Sequence, residues 1–257
     1  MIRGVLLDLS GVLYAGDTAL PGAAEAVTRL RDSGLPLRFL TNSTRTPKAS
    51  LLDRLAGFGI ALDPDELFTP ARAARDRLAA EGWAPHLLVH PDLEGEFADC
   101  ATDGPPALVL GDAGTGFSYD ALNAAFRVLA EGAPFLALAA NRVFLDADGK
   151  LSLDAGAFVA ALEFASGTKA EVLGKPAPGY FRAAADSMGL DLAEVAMVGD
   201  DAEADVAGAL TAGAGQAVLV RTGKYQTGDE TRFTPAPSEV AEGVAQAADW
   251  LLAQVRS

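Results

Sequence analysis

The sequence has a single cysteine, Cys100, among its 257 residues. That excludes an internal disulfide framework and a cysteine-rich zinc site. Histidine is nearly as scarce, with His86 and His90 only, which leaves little room for a histidine-based metal centre. Positive charge is short as well: 20 Lys+Arg stand against 35 Asp+Glu, a formal net charge of −15. Duplex DNA and anionic membranes both demand a basic footprint, so neither nucleic acid nor membrane is an expected partner. No apolar run reaches the roughly 18 residues that span a bilayer. The first apolar run, Val5-Leu6-Leu7, meets an acid at Asp8, which is not the shape of a secretory signal. A soluble, cytoplasmic protein is the expectation.

What is present fits a globular chain rather than a disordered one. Hydrophobic residues make up 50% and charged residues 21% of the sequence. Short β-rich apolar runs alternate with amphipathic stretches. Val5–Leu9, Leu35–Leu40, Glu194–Gly199 and Gln216–Val220 read as strands. Ala23–Asp32, Pro47–Phe58, Ala202–Ala212 and Val240–Val255 read as helices. Such alternation predicts an α/β fold with a parallel sheet and right-handed crossovers. Between them lies a second block. A helix is expected at Ala71–Ala80, then a junction at Gly82-Trp83-Ala84-Pro85. Strands at Leu87–Val89, Ala107–Leu110 and Phe135–Ala139 follow, with helices at Tyr119–Leu129 and Ala157–Ala165. Arg142–Leu153 reads as a hairpin turning at Asp146-Ala147-Asp148-Gly149. The organisation expected is a core of residues 1–82 and 169–257 interrupted by an inserted α/β cap at 83–168.

In open parallel sheets, ligands sit beyond the carboxyl ends of the strands. The polar residues that end the expected strands are therefore the candidates. They are Asp8-Leu9-Ser10-Gly11, Thr41-Asn42-Ser43, and Gly199-Asp200-Asp201 with Asp205 a turn later. Gly174-Lys175-Pro176 precedes another expected helix. A carboxylate such as Asp8 can attack phosphorus as a nucleophile. Asp200 can join it around a hard cation, since Mg²⁺ favours one or two carboxylates plus waters and phosphate oxygens. Thr41 and Asn42 offer a hydroxyl and an amide to phosphate oxygens. Lys175 offers a charge that neutralises Asp8 and the transferring group. Plainer roles exist beside these. Thr41 and Asn42 can cap the helix after Pro47, Asp201 can be an N-cap, and Lys175 can be a solvated lysine.

Taken together, these residues resemble the haloacid dehalogenase superfamily of phosphatases. That family's pattern is Asp-x-Asp, then a Thr/Ser strand end, a Lys, and a late Gly-Asp with a further Asp. Here they match Asp8-Leu9-Ser10, Thr41-Asn42, Lys175 and Gly199-Asp200 with Asp205. The insertion lies between the Thr41 element and Lys175, as in the subclass with a large α/β cap. Asp8–Tyr14 and Thr222-Gly223-Lys224-Tyr225 carry a closer likeness within that subclass. The resemblance implies a Rossmann-like parallel-sheet hydrolase core and Mg²⁺ as cofactor. It implies a small phosphorylated substrate that is hydrolysed through an aspartyl-phosphate on Asp8. It assigns Asp8, the Ser10 carbonyl and Asp200 to the metal, with Asp201 and Asp205 behind them. Asp8, Leu9, Ser10, Thr41, Asn42 and Lys175 would line the substrate, the cap would choose the leaving group, and dimerisation through the cap is common in the subclass.

One position departs from the family. The residue two after the nucleophile is usually an Asp that acts as general acid/base, and here it is Ser10. A serine hydroxyl is a poor proton donor near neutral pH, and acid/base help is worth about 10²–10⁴-fold. Esters with reluctant alkoxide leaving groups should suffer most, phosphoramidates and pyrophosphate least. Two rival readings follow. One is a phosphate-binding regulatory protein with weak residual catalysis. The other is a dinucleotide oxidoreductase, against which stands Ser10-Gly11-Val12-Leu13-Tyr14 in place of Gly-x-Gly-x-x-Gly. Several signals read as structural. Gly111–Gly116 lacks the Gly-Lys-Ser/Thr of a P-loop, and Asp146–Gly149 lacks the other ligands of an EF-hand. His86, His90 and Cys100 read the same way, while Asn141 and Arg142 are candidates to face the substrate from the cap.

Overall fold

The computed structural model describes residues 1–145 and 150–255. The chain divides into two compact units. The first comprises Met1–Thr41, Leu51–Phe68 and Lys175–Ser257, and the second Asn42–Ser50 and Thr69–Gly174. No helix among the described residues is long and apolar enough to cross a membrane.

The first unit is built on a six-stranded sheet, parallel throughout. Its order is Glu239–Ala241, Gln216–Val220, Val195–Gly199, Gly4–Asp8, Leu37–Leu40, Leu67–Phe68. Gly4–Asp8 and Val195–Gly199 are buried at every position, as expected of central strands covered on both faces. Val5, Leu7, Phe39, Val198, Val218 and Val220 form one apolar face. Helix Ala23–Asp32 covers it with Ala26, Val27 and Leu30, and helix Val244–Val255 with Ala247, Ala248 and Leu251. Leu51 and Leu55 of helix Lys48–Gly57 complete that layer. The strand order reverses beside Gly4–Asp8, where the chain moves first to Leu37–Leu40 and later returns to Val195–Gly199. This is the topological switch point at which open sheets bind ligands.

The second unit has its own four-stranded parallel sheet, ordered Glu171–Val172, Phe135–Ala137, Pro106–Leu110, Ala84–Leu88. Alternation along Pro106–Leu110 feeds two cores. Ala107 and Val109 pack with Ala71, Ala74 and Leu78 of helix Pro70–Glu81, while Leu108 and Leu110 pack with Ala125, Leu129, Val159 and Leu162. Val143–Leu145 and Leu151–Leu153 pair antiparallel, as the expected hairpin requires. Its turn at Asp146-Ala147-Asp148-Gly149 lies outside the described residues.

Three features differ from the sequence reading. The second compact unit comprises Asn42–Ser50 and Thr69–Gly174, where the sequence reading expects an insertion over 83–168. Helix Pro70–Glu81 buries its apolar stripe in the second unit's core, and Glu171–Val172 is the edge strand of the second sheet. Val240–Val255 is not one helix, because Glu239–Ala241 is a strand beside Gln216–Val220 and the helix starts at Val244. A three-residue strand has no period of its own to set it apart from a following helix. Finally, Ala202–Ala212 begins as a π-helix over Ala202–Ala207 and turns α-helical only at Gly208.

Candidate active site

Register places the first three candidates side by side. Asp8 pairs with Leu40, so Thr41 follows directly beyond it. Leu7 pairs with Val198, which brings Gly199 level with Asp8 and Asp200 just past it. Asp8, Thr41, Lys175, Asp200 and Asp205 are all buried polar residues of the first unit. Lys175 Nζ donates to Asp8 Oδ1. It also lies 2.6 Å from Asp205 Oδ1, an ion pair that lacks hydrogen-bond alignment. The wide π turn at Ala202–Ala207 carries Asp205 to this position, and such turns recur at functional sites. Packing on both sides of that turn is tight. A Cβ on Gly199 would stand 2.2 Å from the Asp205 Cβ, and one on Gly208 2.6 Å from Pro176.

The remaining candidates occupy varied positions. Leu9 is fully buried and Ser10 is exposed, within a tight turn in which Leu13 N–H donates to the Leu9 carbonyl at 2.8 Å. Only the backbone of Leu9 is therefore available to a ligand. Asp201 is the N-cap of the π turn, accepting from Glu203 N–H at 3.1 Å and Ala204 N–H at 2.9 Å. It also pairs with Lys224 Nζ at 3.1 Å. Asn42 groups with the second unit, where its Oδ1 sits against Gly174. His90 caps a short helix through Nδ1, and Cys100 is a free, half-buried thiol. Gly111–Gly116 is a loop of the second unit whose Asp112 accepts from Arg45 Nε at 2.6 Å. Arg142 is exposed in that unit, and its carbonyl accepts from Asp154 N–H.

Electrostatics set the chemistry. Asp8, Asp200 and Asp205 each present a carboxylate oxygen within 4.8 Å of the other two. One ammonium, Lys175, faces these three acids, so charging all three at once is unfavourable. Burial, together with Asp8 and Asp205, pushes the Asp200 carboxyl up to about 8. Burial also raises Asp205, to about 6, against the pull of Lys175. For Lys175 burial works against its charge, but Asp205 and Asp8 outweigh it and hold the ammonium protonated well above its ordinary range. A buried, all-oxygen, under-compensated donor set fits a hard divalent cation. It does not suit a soft metal, which would want thiolate or imidazole.

One residue, and the role of two glycines, escaped the sequence reading. Tyr180, on helix Pro178–Asp186, is buried, and its hydroxyl lies 2.9 Å from the Thr41 carbonyl and 2.6 Å from that of Phe68. It braces the strand end that carries Thr41. Gly11 and Gly223 press on Asp200 from two loops with left-handed φ of 88° and 61°. A Cβ on either would stand about 2 Å from Asp200 Oδ2, at 1.9 and 2.0 Å respectively. Thr222-Gly223-Lys224 stood out in the sequence, but no local pattern tied it to Asp200.

Comparison with known proteins is consistent across the chain. A family model described as haloacid dehalogenase-like hydrolase matches residues 5–101, and a second, HAD-hydrolase-like, matches residues 172–247. Haloacid dehalogenase-like hydrolase domain-containing protein 2 of Bos taurus is 42% identical over 251 residues, covering 98% of this chain and 96% of that protein. Phospholysine phosphohistidine inorganic pyrophosphate phosphatase of Homo sapiens is 40% identical over 257 residues, covering 98% and 94%. Among solved structures, 4-nitrophenylphosphatase of Thermotoga maritima superimposes with a TM-score of 0.86 at 26% identity, over 96% of this chain and 97% of that one. NagD of E. coli K-12 does so with a TM-score of 0.84 at 29% identity, over 95% and 98%.

Proposed function

The chain belongs to the haloacid dehalogenase-like hydrolases and is a phosphohydrolase of that family, and we propose that it hydrolyses a small phosphorylated substrate with Mg²⁺ through an aspartyl-phosphate on Asp8. The observation that carries this reading is the buried cluster of Asp8, Lys175, Asp200 and Asp205 at the switch point of the sheet. Asp8, Asp200 and the Ser10 carbonyl would hold the cation, whose Lewis-acid charge lets an anionic phosphoryl group approach a carboxylate. Asp8 attacks phosphorus, and the leaving group departs with the electron pair of the broken bond. Lys175 keeps its charge beside Asp8 through both half-reactions. Thr41 and its chain neighbour Asn42 supply hydroxyl and amide donors to the phosphoryl oxygens. Water then cleaves the acyl-phosphate, releasing phosphate and restoring Asp8.

Ser10 shapes the substrate class. Without a carboxylic acid two residues after the nucleophile, the leaving group must depart with little proton assistance. Phosphoramidates and pyrophosphate meet that demand better than alkyl esters. This ranking accords with the name of the 40%-identical relative, phospholysine phosphohistidine inorganic pyrophosphate phosphatase. The same reading includes a cytoplasmic homodimer joined through the second unit, which exposes Tyr119 and Phe164 on its helices. Phosphate release should be measured across esters, phosphoramidates and pyrophosphate, with Mg²⁺ or excess chelator. Activity is expected on the latter two classes, with Mg²⁺ only, and is expected to vanish in Asp8→Asn. Robust turnover in chelator or in that variant overturns the mechanism.

A further inference from the structure

The Thr222-Gly223-Lys224 turn follows the Gln216–Val220 strand and takes no part in the chemistry above. Its contacts converge on Asp200 and on the loop after Asp8. The Lys224 backbone N–H donates to Asp200 Oδ2 at 2.7 Å. The Thr222 hydroxyl donates to the Gly11 carbonyl, joining two loops 211 residues apart in sequence. Gly223 and Gly11 then close on the same carboxylate oxygen, with no room for a Cβ on either. The Lys224 side chain reaches Asp201 at 3.1 Å, which ties the turn to the start of the π-helix as well. Asp200 Oδ2 is thus gripped by backbone from two loops, which holds the carboxylate in one orientation.

We propose that the Thr222–Lys224 turn is a backbone clamp that orients Asp200 for the divalent cation, with the Thr222 hydroxyl as its latch. The inference rests on the metal role assigned to Asp200 above. The physical reason is pre-organisation. A carboxylate whose orientation is already fixed loses less freedom when it binds, and partners behind a ligand govern metal affinity for that reason. Thr222 touches Gly11 rather than the cation or the reacting atoms, so it is a positioning residue.

The test is calorimetric titration of Mg²⁺ into the whole protein, without substrate, for wild type, Thr222→Val and Thr222→Ser. Valine keeps the β-branch and the size but cannot donate. Thr222→Val is expected to bind Mg²⁺ about tenfold more weakly or worse, and Thr222→Ser to recover most of that loss. Melting temperatures in chelator should differ little among the three, since a merely structural tie would show there first. Equal Mg²⁺ affinity in wild type and Thr222→Val overturns the clamp alone. Absence of Mg²⁺ binding by wild type overturns the metal role of Asp200 and the clamp with it. Lys224→Pro, which deletes the donated N–H directly, is the second variant, and wild-type affinity there also overturns the proposal.

Discussion

Replacing Asp200 by asparagine should stabilise the metal-free protein while removing its response to Mg²⁺. Asp200 is buried beside Asp8 and Asp205, and its carboxyl is pushed up to about 8 from an ordinary 3.8. The folded state therefore holds this proton more tightly than the unfolded chain does. The stability that the proton confers is fully present below pH ~4 and is lost as pH rises towards 8. At about 1.4 kcal/mol per pH unit, ionisation costs on the order of 5 kcal/mol at pH 8 and on the order of 2 kcal/mol at pH 5. Asparagine avoids that cost, keeps an oxygen for the Lys224 N–H, and places its amide among carboxylate acceptors. Imperfect replacement of the remaining contacts costs about 1–2 kcal/mol. The gain wins clearly at pH 8 and nearly cancels at pH 5. In chelator, Asp200→Asn should melt on the order of 5–10 °C above wild type at pH 8, with little difference at pH 5. Mg²⁺ should then raise wild type by mass action, about 2.7 kcal/mol at a hundredfold excess over Kd, and leave the variant unmoved. A wild type that melts at or above the variant in chelator at pH 8 would refute the idea of uncompensated charge in this cluster.

Other perturbations probe separate parts of the argument. Ser10→Asp should raise turnover of a simple alkyl phosphate by about tenfold or more, because it restores a proton donor beside the leaving group. Unchanged ester turnover in a variant that folds and binds metal sinks that account of Ser10. Tyr180→Phe removes the donor facing two buried carbonyls and should cost about 1–3 kcal/mol in urea unfolding, with a drop in kcat through Thr41. Stability indistinguishable from wild type would show that Tyr180 does not brace the strand end.

The sequence disclosed those parts of the site that sit where a buried run stops. Val5–Leu7 must stay apolar because both faces of the strand are covered, so an acid at Asp8 marks the strand's end without ambiguity. The same holds for Gly199-Asp200 after Val195–Val198, and strand order then brings the two ends together. Residues whose meaning depends on a distant partner stayed hidden. Gly11 stands in the strand-end set Asp8–Gly11, but nothing local says that Gly223 and Asp200 crowd it. Tyr180 reads as one apolar position of an amphipathic helix, with nothing local to reveal the carbonyls above it. Helix Pro70–Glu81 shows its stripe of Ala71, Ala74 and Leu78 in sequence, but a stripe does not say which sheet it will cover. Sequence alone therefore groups this helix with the core of residues 1–82.

The acid excess of the whole chain and the acid cluster of the site act at different ranges. A net charge of −15 lies mostly on solvated surface, where ions screen it beyond about 8 Å at physiological salt. It favours solubility and has little say over a phosphate already near the sheet. The buried carboxylates are not screened in this way. With Asp8, Asp200 and Asp205 set against Lys175, each ionised carboxylate adds to a local field that repels a phosphoryl group and attracts a cation. A divalent cation beside the cluster would offset the charge of all three carboxylates and let Asp200 give up the proton it otherwise holds up to about pH 8. The same balance predicts that a phosphate anion binds poorly until a divalent cation has joined the carboxylates, and titrating inorganic phosphate with and without Mg²⁺ checks it: equal affinity in chelator would refute the role given to this local field.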